Sequence, residues 1–412
     1  MVSYTAIYCK DFNIANPSGG LISFTGEGYL YIYGSFTGSS SVIMDGFSRI
    51  YFKSTLTGNT ITFNGASFPF NRPLYFDGVG GEWKLQDKLD SFASNIYLIN
   101  GTFDANNQDL KIRGFLSSNS NTRTLKMGSG TWEITQSGTI WDLSTTTNLT
   151  FDKGTSTIKL TGSLASYVRT FKGGGLTYYN FENYVFTTTG LATNPGKVVI
   201  DDSNTFNSFN VNGSSYSTRV EFTAGTTQTV SSFKANGSAS YGVIIQSSDT
   251  SIFTLSCPSG TINCNYIDLS YSTATGGATW NAIDSIDSGN NTGWIFSTST
   301  VAPTVTTQAA DQIATTSIRG NGNITDTGGE NCTRRGFCYK AGTSGDPTVA
   351  DSVAYDDGDF GTGAFTKSIT GLSAGTDYRV RAYAVNSAGT SYGTTVDVKT
   401  LKAFKPKITW FN

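Results

Sequence analysis

The 412-residue sequence contains no histidine. That absence removes the commonest general base, every Ser-His or Cys-His nucleophile pair, and the usual transition-metal ligand. Cysteine is scarce and odd in number, at five, which excludes a disulfide scaffold. Cys332 and Cys338 read as one strand, six residues at about 3.3 Å each and so beyond bridging distance. Cys257 and Cys264 flank Pro258-Ser259-Gly260; a cross-turn bridge stays open beside the plainer reading of two buried thiols. Without a Cys-x-x-Cys pair, zinc is not expected. Charged residues make up only 14%, net charge is −2 and no basic run occurs. Nucleic-acid binding needs a cationic stripe, so that class is disfavoured. No apolar stretch approaches the roughly 20 residues that span a bilayer. Met1 to Tyr8 lack a charged segment followed by an apolar one, so no secretory signal is expected there.

What the chain does hold is glycine and aromatics: 47 Gly, 27 Phe and 21 Tyr against 8 Pro. With abundant Ser, Thr and Asn this is the composition of an all-β, turn-rich protein. Period-2 alternation recurs in short runs, as in Tyr29-Leu30-Tyr31-Ile32-Tyr33, Thr157-Ile158-Lys159-Leu160 and Gly242-Val243-Ile244-Ile245. No stretch of about 11 or more residues carries a helical apolar stripe. A phrase ending in Gly-Thr returns at Gly101-Thr102, Gly130-Thr131, Gly154-Thr155 and Gly225-Thr226. The interval from Gly154 to Gly225 is close to three times that from Gly130 to Gly154. Such a period means one supersecondary unit stacked many times, each burying its apolar edge against its neighbours. The expectation is a parallel β-helix (β-solenoid) over residues 1–298, with Greek-key sandwiches as the structural alternative.

From Asn265 to Phe296 the rhythm breaks, and Trp280 and Trp294 sit near glycines. An open solenoid end exposes apolar core, so residues 265–296 read as a C-terminal cap. Ser297 to Pro303 is a linker by composition. A second domain follows over residues 303–401. Leu372, followed six residues later by Tyr378, reads as a tyrosine corner, and the next strand points Tyr378, Val380, Ala382 and Ala384 inward with Arg379 and Arg381 outward. Asn386-Ser387-Ala388-Gly389 is then the turn into Thr390. This segment resembles the fibronectin type III family, which implies an Ig-like β-sandwich. Residues 402–412 form a tail in which Trp410 and Phe411 are available to dock on a neighbour.

Within the first domain, Leu149 to Gly162, Phe171 to Tyr178, and the stretches ending at Trp280 and Trp294 are similar to virion structural proteins of tailed bacteriophages. The resemblance implies a tail fibre, tailspike or capsid-surface protein, made in a host cytoplasm and carried on the virion surface. It brings no catalytic residues. The expected function is non-enzymatic: a rigid appendage contacting host-surface polysaccharide or neighbouring virion proteins, homo-oligomeric with a trimer favoured, without nucleic-acid or membrane partners. Rival readings are a polysaccharide depolymerase, a bacterial surface adhesin and a capsid decoration protein.

Candidate sites are few. Paired carboxylates for glycan cleavage would come from Asp201 with Asp202, or from Glu133, Asp142 and Asp152 aligned on successive coils; solvated surface acids are the simpler account. Asp284, Asp287 and Asn290 could gather oxygens around calcium, although Asp and Asn favour turns on their own account. Gly173-Gly174-Gly175 lacks the Lys-Ser/Thr of a phosphate loop. Tyrosines supply the candidate glycan contacts: Tyr29, Tyr31 and Tyr33 on one strand face, and Tyr178, Tyr179 and Tyr184 close together. Same-face aromatics on stacked strands more often form core ladders, and the core is the favoured placement.

Overall fold

The computed structural model describes residues 5–14, 22–23, 28–44, 47–66, 72–162, 167–185, 196–213, 215 and 217–406. All regular structure among them is β, with no helix. The chain divides into two units, Met1–Ser297 and Thr298–Asn412.

The first unit is a parallel β-solenoid with three faces. One coil shows the plan. Ile96 to Leu98 lies on the first face, Gly101 to Asp104 on the second and Leu110 to Ile112 on the third, before Phe115 returns to the first face beside Ile96. On the first face, twelve successive parallel pairings link thirteen strand segments, from Thr5–Cys9 to Ile286–Asp287. The step between rungs varies, shortest from Leu269 to Asp287 and longest from Gly138 to Arg169. Strands stay in register while the turns absorb the difference, so the sequence repeats a phrase without a strict period.

The glycine intervals follow from this stacking. Trp132 pairs with Ile158, one coil on. Ile158, Phe181, Phe209 and Phe233 are then successive partners, so the interval from Gly154 to Gly225 spans three coils. Glycine recurs because coils touch at their corners. Gly154 has φ +52, and a Cβ there would lie 2.0 Å from the carbonyl oxygen of Gly128 on the coil before. Gly174, the middle of the triple-glycine run, has φ +66 and the Leu143 carbonyl 2.1 Å from its absent Cβ. Gly174 is therefore a backbone contact between coils, a place only glycine fits.

Inward positions form columns. Leu30, Ile50, Leu74 and Ile96 are consecutive partners and fully buried, and further along Trp141, Phe171, Ile200 and Phe222 lie at 0% exposure. One continuous apolar cluster runs from Leu30 to Ala282. At about 1.5–3 kcal/mol per buried large side chain, this column is the chief stabilising term. Residues 265–296, expected to interrupt the repeat as a cap, instead continue it. Ile267–Ser270, Ser272–Thr275 and Thr279–Ile283 pair with the coil before, and Trp294–Ser297 pairs with Thr279–Ile283. The coils simply shorten there. Trp294, on the last third-face strand, packs its ring 5.0 Å from the buried Trp280 and covers it.

The second unit is antiparallel. A three-stranded sheet (Thr304–Asp311, Ser317–Asp326, Gly363–Thr370) and a five-stranded one (Cys332–Ala341, Ser352–Phe360, Asp377–Asn386, Gly389–Tyr392, Val396–Lys399) share a core of Ile318, Ile324, Phe337, Ile369 and Val380. The Tyr378 hydroxyl accepts a hydrogen bond from the Ser373 amide at 2.9 Å, tying the strand start back across the preceding turn. Tyr378, Val380, Ala382 and Ala384 are buried, while Arg379 and Arg381 are half-buried on the other side. Asn386 closes the Gly389 hairpin and donates to the carbonyls of Val301 and Thr327. Trp410 and Phe411 lie outside the described residues.

Candidate functional site

The alternation Gly28-Tyr29-Leu30-Tyr31-Ile32 leaves a choice of which set faces inward. Leu30 and Ile32 are buried; Tyr29 and Tyr31 are half-buried on the outer surface. The core placement of these tyrosines is thus reversed, because the phenol hydroxyl keeps its water on the outside while the aliphatic chains lose theirs inside. Tyr31 belongs to an outer column, Tyr8, Tyr31, Tyr51, Tyr75 and Tyr97, whose rings stack at 4.8, 4.9, 4.7 and 4.6 Å with interplanar angles of 8–16°. The spacing is that of adjacent strands. Arg49 lies 5.8 Å from the Tyr29 and Tyr75 rings and donates to the Tyr51 hydroxyl at 3.4 Å.

Sugars bind aromatic rings through the ring face, and in this column each inner ring has both faces covered by its neighbours. Tyr31, Tyr51 and Tyr75 present edges and hydroxyls only, so stacking on a pyranose is closed to them. Tyr33, 44% exposed beyond the strand end, stands outside the column.

The second tyrosine group separates. Tyr178 is buried; its hydroxyl donates to the Gly173 carbonyl at 2.8 Å and accepts from the Trp141 indole at 3.1 Å, and burial drives its pKa upward. It is a core residue. Tyr179 and Tyr184 remain at the surface, each with a lysine ammonium over its ring: Lys153 at 5.2 Å and Lys159 at 4.8 Å. Tyr184 is 40% exposed and opens onto a groove lined by Asn210, Val211, Asn212, Lys234 and Asn236.

Outer charges follow the rungs. On the third face, Asp90, Lys111, Glu133, Lys159 and Glu182 are successive partners and alternate in sign. On the second face Lys84, Asp104, Lys126 and Asp152 do the same, with Lys126 Nζ 3.0 Å from Glu82 and 3.8 Å from Asp104. Glu133, Asp142 and Asp152 lie on three consecutive strands of different faces, Thr131–Ile134, Gly138–Asp142 and Leu149–Asp152, so the expected alignment on successive coils does not occur. Each instead pairs in register with a lysine of the next or preceding coil. Asp201 accepts from the Asp202 amide at 3.0 Å, and Asp202 accepts from the Gly174 amide of the coil before at 2.7 Å, so both are engaged in holding corners of the solenoid.

Of the calcium candidates, Asp287 accepts from the Gly289 amide at 3.0 Å and the Asn291 side chain at 2.6 Å, and Asp284 and Asn290 both adopt positive φ. Asp287 Oδ1 is committed to its own turn. Among the described residues no three His, Cys, Asp or Glu side chains gather as a metal site. Cys257 and Cys264 are free, buried thiols. The strongest feature the sequence concealed is the pairing of residues a full coil apart; only the strand register reveals it.

No family model matches the chain, and no curated protein matches it. Among solved structures, the sensor domain of the anti-sigma factor RsgI4 of Pseudobacteroides cellulosolvens aligns over 26% of this chain and 100% of its own, at 14% identity and TM-score 0.20. Chitinase ChiW of Paenibacillus sp. str. FPU-7 aligns over 89% of this chain and 24% of its own, at 12% identity and TM-score 0.20.

Proposed function

We propose that this chain is a non-enzymatic structural and adhesive protein of a tailed-phage particle, a stiff β-solenoid spacer followed by a fibronectin type III-like module. The observation that carries the reading is the uninterrupted ladder of thirteen strands over one apolar core, with outer acids held in turns and rung-to-rung ion pairs. The described strands of each coil are hydrogen-bonded to strands of the next, so bending requires many bonds to deform together, and stiffness follows. The phage assignment is supported by the sequence phrases around Leu149–Gly162 and the two terminal tryptophans. The fibronectin-like assignment is supported by the Tyr378 hydroxyl bond and the two antiparallel sheets.

In this reading the solenoid sets reach, and many copies on one particle sum weak contacts with host-surface polysaccharide or other virion subunits into avidity. Homotrimers would stiffen the shaft further. Two measurements test it. Flanking tail or capsid genes, with immunogold label on intact particles, are the expected result; a gene set among cell-wall enzymes, with label on the bacterial envelope, overturns it. Purified protein should bind polysaccharide without releasing reducing ends, whereas release would establish a depolymerase.

A further inference from the structure

We infer that the groove beside Tyr184 is a binding site for an acidic saccharide; this rests on the adhesive reading above and names where the contact is made. The charge pattern lapses at this groove. Along the third face the outer column runs Asp90, Lys111, Glu133, Lys159, Glu182, each sign opposed by the next. Alternation then requires a cation opposite Glu182, and the partner is Asn210, a neutral amide. Lys234 follows, opposite Asn210 rather than an acid. Lys234 is exposed and has no ion-pair partner among the described residues. The rule that neutralises the column is suspended here.

Three kinds of chemistry converge in the groove. Tyr184 supplies a ring, 40% exposed, with Lys159 over it at 4.8 Å. Unlike the stacked tyrosines of the first face, it has no aromatic neighbour among the described residues, so ring surface is available to the C–H face of a pyranose. Asn210 supplies a side-chain amide that both donates and accepts, as sugar hydroxyls require, and Asn236 supplies a donor NH2 whose Oδ1 accepts from the Asn265 side-chain amide at 3.2 Å, holding its orientation. Val211 is buried between Asn210 and Asn212, which fixes both on the outer side of the strand. Lys234 supplies the point charge that a carboxylate or sulfate on the sugar would meet. A neutral sugar would leave that cation unused, and a basic ligand would be repelled by it.

The test is a microarray of acidic and neutral bacterial oligosaccharides, read with the full chain and three variants. Wild type should bind uronate- or sulfate-bearing glycans, with binding that weakens as salt is raised. Tyr184→Ala should lower binding at least tenfold, and Lys234→Gln should lower it for acidic glycans while leaving neutral analogues unchanged. Tyr179→Ala, outside the groove, should bind as wild type. The altered side chains are on the surface, and unchanged circular dichroism and melting confirm that the fold is intact. Undiminished acidic-glycan binding by Tyr184→Ala and Lys234→Gln overturns the site but spares the adhesive reading. A wild-type chain that binds no glycan overturns both the site and the polysaccharide contact in the adhesive reading.

Discussion

Arg123 shows how the solenoid treats a single residue. It is 1% exposed, and no carboxylate meets it among the described residues. Its guanidinium donates instead to Ser117 Oγ and to the carbonyls of Ser117, Asn121, Thr145 and Thr147, stitching two successive corners together. Burial lowers its pKa, and the carbonyl cage offsets the cost of taking the charge out of water. Removing it leaves those carbonyls without partners, at about 1–3 kcal/mol each where water cannot reach. Arg123→Met is therefore expected to destabilise the first unit by about 3 kcal/mol or more, seen as a lower urea midpoint with unchanged slope. Nothing near Arg123 in the sequence announces this role, since Thr145 and Thr147 lie on the next coil. The thiols are governed by burial as well, which pushes Cys264 up to about 12 and Cys338 to about 11. At pH 8 a disulfide reagent should titrate at most one thiol quickly in the native chain, the half-buried Cys9, and all five in denaturant. The unfolded Cys264 thiol releases its proton near 9.0 and the folded one near 12, so its contribution to stability is complete below pH 9 and is lost as pH climbs to about 12.

At the scale of the element, register is the quantity the outer side chains protect. Inward columns are mostly apolar, and a strand that slipped by two residues would still bury apolar groups. The alternating charges remove that freedom, because a two-residue slip sets Lys126 beside the wrong neighbours. Lys126 is 40% exposed at the side chain, so the pair energy is small. Lys126→Ala should cost less than about 1 kcal/mol. Lys126→Glu places like charges between Asp104 and Asp152 and should cost clearly more, with the difference shrinking in high salt in thermal melts. The tyrosine column serves the same end by ring stacking. Strand positions were legible in the sequence from period-2 alternation alone, and so was the coil length from the glycines. The direction of the tyrosines was not, because Tyr and Leu alternate as two apolar sets. The hydroxyl decides between them only once a coil has an inside.

For the whole molecule, the sequence carried the division near residue 300 in its Ser/Thr linker, and the structure divides at Ser297 and Thr298. The first unit is a one-dimensional stack, in which contacts reach no further than a coil or two, as from Lys126 to Glu82. Such an object should survive loss of an entire coil at about the cost of one core side chain. Thr218 and Val243 are register partners, so deleting residues 218–242 brings Ile245–Ser247 onto Val198–Ile200 with strand direction and inward positions preserved. Ile245 then replaces Val220 in the column, an aliphatic exchange, while Ser247 replaces Phe222 and leaves a gap beside Phe209. The shortened chain is expected to fold cooperatively with an unchanged β-sheet circular dichroism band and a stability lower by about 3–5 kcal/mol, the cost of one lost phenyl ring. Small-angle scattering on the first unit should record a loss of about 4.8 Å, one strand spacing. A compact globular core would instead collapse on losing so long a segment from its middle. Survival with one rung fewer is what separates a stack from a globule, and a deletion product without cooperative unfolding would show that the coils do not carry their stability locally.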